Sequence, residues 1–173
     1  MAETNRISLA QLNHFGGEDF TRVIGPIFEH SPWIAEETWA QRPFADIAQL
    51  HQALCATVKN ADQASQLALI SAHPDLVGRA ALAGLLTRES TGEQASAGLN
   101  QLTPEEVALF QKQNAAYKDR FGFPFVICAR LNKKEAMLVG FEQRLKNSRE
   151  AEINAALSEI FKIAELRLHD LLS

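Results

Sequence analysis

The stretch TPEEVALFQKQNAAYKDRFG, residues Thr103 to Gly122, spells a helix from start to stop. Thr103 supplies a capping hydroxyl, Pro104 a φ that is already helical, and Glu106 a carboxylate three residues after the cap that can return to the cap's own N–H. Gly122 then offers the left-handed conformation at which helices commonly end. Val107, Phe110, Asn114, Tyr117 and Phe121 recur at threes and fours, which turns one stripe toward a core and leaves an amide in its middle. A core asparagine of this kind is expected to be a structural hydrogen bonder, and it marks a polar interior near the segment that follows.

Working outward, the same period continues on both sides. Arg149–Leu172 carries Ile153, Leu157, Ile160, Ala164 and Leu171 on one stripe, and Lys133–Lys146 reads as a further helix. Toward the N-terminus, Ser8 caps a short first helix and a second follows Gly16-Gly17 through Phe20, Val23, Ile24 and Ile27. Ser31-Pro32 reads as an N-cap and first-turn proline for a helix that Pro43 ends. Ala45–Asn60 is amphipathic through Ile47, Leu50, Leu54 and Val58, and Ala61–Ala72 continues with Leu67 and Ile70 until His73, because Pro74 disfavours helix in the residue before it. Residues 73–89, HPDLVGRAALAGLLTRE, keep no period. FPFVICAR, Phe123 to Arg130, is the one β-like run, either a short buried extended piece or a recognition loop. The expectation is an all-α fold, one compact domain over residues 1–173 of about seven to nine helices with a short extended segment around 123–130.

Composition agrees. The 173 residues include 26 Ala and 21 Leu against 24 Val, Ile, Thr and Tyr together, a balance that favours helix over strand. A net charge of −4 with interspersed signs gives no basic face for nucleic acid. Cys55 and Cys128 are distant and read as free thiols of a reducing compartment. No apolar run approaches the ~20 residues that span a membrane, and the opening MAETNRISLAQL has no signal layout. A cytoplasmic protein is expected, without membrane or nucleic-acid partners. His14, His30, His51 and His169 show no ligand spacing, so no metal site is expected.

Some residues exceed what a helical core requires. On a helical wheel Arg167 falls about 60° from the centre of the last helix's stripe. It either snorkels, its stem packed and its guanidinium in water, or aims a planar fork at a carboxylate or urea-like carbonyl in a cleft. His73 sits at a helix C-terminus, where the partial negative charge favours imidazolium, as a cap or as a proton donor. Ser90-Thr91-Gly92-Glu93-Gln94 matches a capping box, with Ser90 as N-cap and Glu93 returning to its N–H, and equally a polar binding corner at a helix start. Cys128 lies in an apolar run and reads as a buried, inert thiol.

Three blocks, HPDLVGRAA (His73–Ala81), SxxEQxxAGL (Ser90–Leu99) and NxxYxxRFGFPFVICAR (Asn114–Arg130), resemble the 2-oxo-4-hydroxy-4-carboxy-5-ureidoimidazoline (OHCU) decarboxylase family in order and spacing. The resemblance runs over essentially the whole chain. It implies an all-α, commonly homodimeric enzyme that needs no cofactor and forms (S)-allantoin and carbon dioxide in urate degradation. Carried over residue by residue, it implies catalytic roles for His73, Glu93 and Arg167. It implies substrate contact by Pro74, Ser90, Gln94 and the backbone of Phe125, Val126, Ile127, Cys128 and Ala129. Some family members carry a peroxisomal address or a fused transthyretin-like hydrolase, and neither is seen in this sequence, which fits a stand-alone cytosolic enzyme.

The chemistry is consistent with so small a chain. The carboxylate to be lost sits beside a ring C=N, so the substrate is its own electron sink. Competing expectations are a helical dimerisation or adaptor module in which Glu93, Asn114 and Arg167 only set register, and another cofactor-free lyase or tautomerase acting on a ureido or heterocyclic acid.

Overall fold

A computed structural model describes residues 6–173, apart from the side chains of Arg79 and Ala80. Met1–Asn5, part of the opening stretch read above for a signal layout, lie outside the described residues. The described chain is helical throughout and forms no β-strand, and none of its helices is long and apolar enough to cross a membrane. The chain divides into two compact units, one made of residues up to Leu69 with Phe161–Ser173, the other of Ile70–Ile160.

The first unit contains helices α1 (Leu9–Asn13), α2 (Gly17–Ile24), α3 (Trp33–Thr38) and α4 (Ile47–Asn60). Ser8 and Gln11 close a full capping box on α1. Leu12, Phe20, Ile24, Ile34, Leu50, Leu54 and Val58 are wholly buried, and α3 packs on both α2 and α4. Ser31 does not cap α3. Its hydroxyl turns back to donate to the Glu29 carbonyl at 2.8 Å, and the helical dihedrals begin at Pro32 (φ −63°, ψ −22°). The next helix, α5 (Gln63–Ala72), starts beyond Asp62, whose carboxylate accepts the Ser65 N–H at 2.7 Å. Leu69 and Ile70 are its buried pair, whereas Leu67 is half-buried. Both main-chain polar groups of Ile7 are tied to Leu171–Ser173, its N–H donating to Leu171 O at 3.3 Å and its carbonyl accepting from Ser173 N–H at 3.1 Å.

The second unit holds α6 (Arg79–Leu82), α7 (Arg88–Ser96), α8 (Pro104–Phe121) and α9 (Lys134–Arg144), and α10 (Arg149–Leu171) begins in it. Both arms of the Thr103–Glu106 capping box form, and Gly122 closes α8 at φ 81°. The α8 stripe lands as read from Phe110 onward, with Phe110, Asn114, Tyr117 and Phe121 buried. Tyr117 is ringed by Phe121, Phe123, Phe125 and Phe141. Under this aromatic cluster lies Glu152, fully buried. Its carboxylate accepts from Tyr117 OH at 2.6 Å, Arg144 Nε at 2.7 Å and Asn147 Nδ2 at 2.9 Å. Those three donors meet the desolvation cost that an unpaired buried carboxylate would impose. On α10 the stripe finishes on Leu168 and Leu172, not on Leu171, which is half-buried.

Candidate active site

His73 ends α5 as the proline rule requires; its N–H returns to Ile70 O at 3.2 Å and its side chain is buried. The loop that follows is fixed from three directions. Gln94 accepts the Val77 N–H on Oε1 at 3.1 Å and donates from Nε2 to Asp75 O at 3.2 Å. Asn114 Nδ2 donates to Leu76 O at 2.7 Å, which makes it the structural hydrogen bonder expected of a core asparagine, although its partner is this loop and not the Phe123–Arg130 segment. Lys118 Nζ pairs with Asp75 Oδ2 at 2.7 Å. Within the loop Val77 has φ 52°. A β-branched residue in the left-handed region is a true outlier, costing of order 1–3 kcal/mol, and it persists only where its surroundings over-determine it.

Ser90 is not the N-cap of α7. The helix begins one turn earlier, with Thr87 extended (φ −59°, ψ 159°) and its hydroxyl accepting the Ser90 N–H at 3.2 Å. Ser90 thus occupies the third helical position, and Glu93 lies inside the helix, not in a capping box. The consequence for the site is periodic. Ser90 and Gln94, four apart, form the buried face of α7, and Glu93 is half-buried beside them. That helix packs on the 3-10 turn Ala129–Leu131.

The Phe123–Arg130 run pairs with no strand among the described residues. Phe125, Val126, Cys128 and Ala129 are buried and Ile127 is half-buried. Val126 O accepts from Arg144 Nη1 at 2.6 Å, and the Cys128 N–H donates to Glu159 Oε2 at 3.0 Å. Burial pushes the Cys128 thiol up; Leu131's N–H opposes this, and the Glu159 and Glu93 carboxylates add to it. A thiol so placed stays protonated and is no nucleophile. Within the second unit, Gln94 on α7 thus bonds to the loop that follows His73, and α7 packs on the turn that begins at Ala129.

Arg167 lies in the first unit and does not snorkel. It is 5% exposed. Its Nη2 donates to Glu29 Oε1 at 2.9 Å, and its Nη1 to the carbonyls of Pro26 and Ile27 at 3.3 Å each. Glu29 is equally buried, so the guanidinium is met by one carboxylate and two carbonyls, a planar fork filled on two sides. Glu29, Arg144, Glu152 and Glu159 escaped the sequence reading. The available signal was in α10, where Glu152 and Glu159 stand seven apart and flank the apolar stripe.

The model of the OHCU decarboxylase family matches residues 13–169. The 2-oxo-4-hydroxy-4-carboxy-5-ureidoimidazoline decarboxylase of Halalkalicoccus jeotgali is 41% identical over 166 residues, covering 96% of this chain and 92% of that protein. The enzyme of the same name from Amia calva is 40% identical, covering 96% and 95%. The crystal structure of an (S)-allantoin synthase superposes with a TM-score of 0.74 at 28% identity, over 96% of this chain and 54% of that one, so the chain spans about half the length of that relative. Matches of this length and identity make the conclusion plain: the chain belongs to the OHCU decarboxylase family.

Proposed function

We propose that this chain decarboxylates 2-oxo-4-hydroxy-4-carboxy-5-ureidoimidazoline to (S)-allantoin and carbon dioxide in urate degradation, with residues 1–173 acting as one catalytic domain. The C–C bond to the carboxylate breaks and its electron pair flows into the adjacent ring C=N. The ring nitrogen that receives the pair takes a proton, the resulting enol takes another on the ureido-bearing carbon, and the neighbouring hydroxyl gives one up as it becomes the carbonyl of allantoin. Because the substrate receives the electrons itself, no organic cofactor or metal is required for the step.

His73 donates the proton that fixes the configuration of the product, from the rigid loop beside Pro74. Glu93 orients His73 or accepts the hydroxyl proton. Ser90 and Gln94 hold ring and ureido groups; two of Gln94's four hydrogen-bonding positions serve the His73 loop, which leaves one amide hydrogen and one lone pair for a ligand. The backbone of Phe125–Ala129 offers N–H and C=O groups that match the ureido and ring amides. Arg167 binds an oxygen whose negative charge grows as the bond breaks. The enzyme works as a homodimer in the cytoplasm, a compartment that suits its two buried free thiols.

The observation that supports this most is the Gln94 bridge, since one side chain ties α7 to the loop of His73 and so makes the two sequence blocks a single polar corner. The test generates the unstable substrate in situ from urate with the two upstream activities and follows allantoin by circular dichroism. Rapid formation of one enantiomer is expected; racemic allantoin at the uncatalysed rate would favour the adaptor reading.

A further inference from the structure

From Val126 to Cys128 the segment is held along one edge by side chains of α9 and α10. Arg144 lies on α9 with its guanidinium 4.3 Å from the centre of the Phe125 ring, Nε on Glu152 Oε1 and Nη1 on Val126 O. Two residues along, the Cys128 N–H reaches Glu159 Oε2. In extended backbone the N–H and C=O of one residue point to one edge and those of its neighbour to the other. The Val126 carbonyl and the Cys128 N–H therefore belong to the same edge, and both are taken by the protein. The main-chain groups of Ile127 belong to the opposite edge and have no partner among the described residues. Glu152 and Glu159 are seven residues apart on α10, two turns on one face, about 10 Å along the axis. One acts on Val126 through Arg144, and the other acts on Cys128 directly.

We infer that Arg144 and Glu159 are positioning residues of the reaction: a two-point clamp that fixes the rotation of the 125–129 backbone, so that the Ile127 N–H and C=O stand ready for the ureido and ring amides of the substrate. The inference rests on the reading of this segment as a substrate-binding edge. A clamp of this kind acts on binding of the unreactive part of the substrate, alike in the ground and transition states, so its loss raises KM and spares kcat. A residue that merely stabilised the fold would lower the amount of active protein and leave KM unchanged.

The experiment compares the wild type with Glu159→Leu, Glu159→Gln and Arg144→Lys, all full-length. Amide hydrogen exchange of the wild type with and without (S)-allantoin comes first, and protection of the 123–131 peptide is expected. Absence of that protection overturns the edge reading and the clamp together. With protection present, Glu159→Leu is expected to raise KM about tenfold with kcat within about twofold. Glu159→Gln, whose amide oxygen still accepts from Cys128, is expected to restore KM. Arg144→Lys keeps a charge beside Glu152 but loses the fork to Val126, and should behave like the leucine variant. Unchanged KM in both Glu159→Leu and Arg144→Lys, with the wild-type peptide protected, overturns the clamp alone. Should one variant fail to fold, the other decides by the same criterion.

Discussion

Gln94 holds Val77 in a backbone conformation that valine would not choose: its amide oxygen receives the Val77 N–H at 3.1 Å while Val77 stands at φ 52°. The same side chain donates to Asp75 O at 3.2 Å, so one buried amide bonds two main-chain groups of the His73 loop.

Gln94→Leu should therefore cost both stability and activity. It leaves the Val77 N–H unsatisfied and the Asp75 carbonyl with its long 3.4 Å contact from the Gly78 N–H, at roughly 2 kcal/mol in all, which lowers Tm by about 4–8 °C in a chain of this size. With its brace gone, Val77 relaxes out of the left-handed region and carries His73 with it. Thermal melting and kcat/KM measured on the same preparation check this; an unshifted Tm would mean that the loop is fixed by Asn114 and Lys118 alone.

His73→Asn is expected to fold with the wild-type melting temperature within a few degrees, because the helix-ending turn uses the backbone N–H and not the ring. Loss of a general acid lowers kcat by about 10²–10⁴-fold, and the allantoin that forms should lose its enantiomeric excess. Circular dichroism of the product reads both, and normal turnover by the folded variant would sink the assignment.

The Arg167–Glu29 pair makes a sharper distinction. Arg167→Lys keeps the charge but cannot serve Glu29 and two carbonyls with one planar fork, so kcat/KM should fall at least about tenfold. Arg167→Leu takes the guanidinium away from a buried carboxylate and should lower unfolding stability by about 3–5 kcal/mol, read from urea denaturation. Wild-type kcat/KM in the lysine variant would show that the bidentate geometry is dispensable.

Much of the fold was legible because α8 announces itself locally: a cap, a proline, a returning glutamate and a terminal glycine all lie within the helix or beside it. The α7 start was not, since Thr87 and Ser90 both carry a hydroxyl at capping distance from a plausible first turn. The choice between them falls to wherever the preceding chain turns extended, which packing decides. Buried carboxylates were illegible for a related reason. Glu152 meets Tyr117 35 positions away, and Glu29 meets Arg167 across 138; no local period encodes such pairings. Of the site, the types and order of residues could be read, and the edge of Phe125–Ala129 that is already occupied could not.

Alkaline pH should destabilise the protein through its buried acids. Burial raises the Cys55 thiol from 9.0 to about 11, with Glu165 adding to the rise and Lys59 opposing it. Cys128 is raised as well, and Tyr117 is raised by burial and by its hydrogen bond to Glu152. Each folded-state value lies above the unfolded one, so the stability these groups contribute is lost as pH rises: for Cys55 it is complete below about pH 9 and lost as pH climbs through about 11, and for Tyr117 the loss begins near pH 10. Urea midpoints across that window should fall, and Cys55→Ala should flatten part of the decline; a constant midpoint would contradict the burial of these groups.

The clasp at Ile7 has a consequence for biosynthesis. Its partners, Leu171 and Ser173, are translated long after it, and the unit that contains Ile7 also needs Phe161–Ser173. Ile70–Ile160, by contrast, is continuous in sequence and complete before those residues are made. The order of synthesis thus lets the unit bearing His73, Glu93 and Gln94 assemble first, while helices α1–α4, translated before it, wait for Phe161–Ser173 to complete their core.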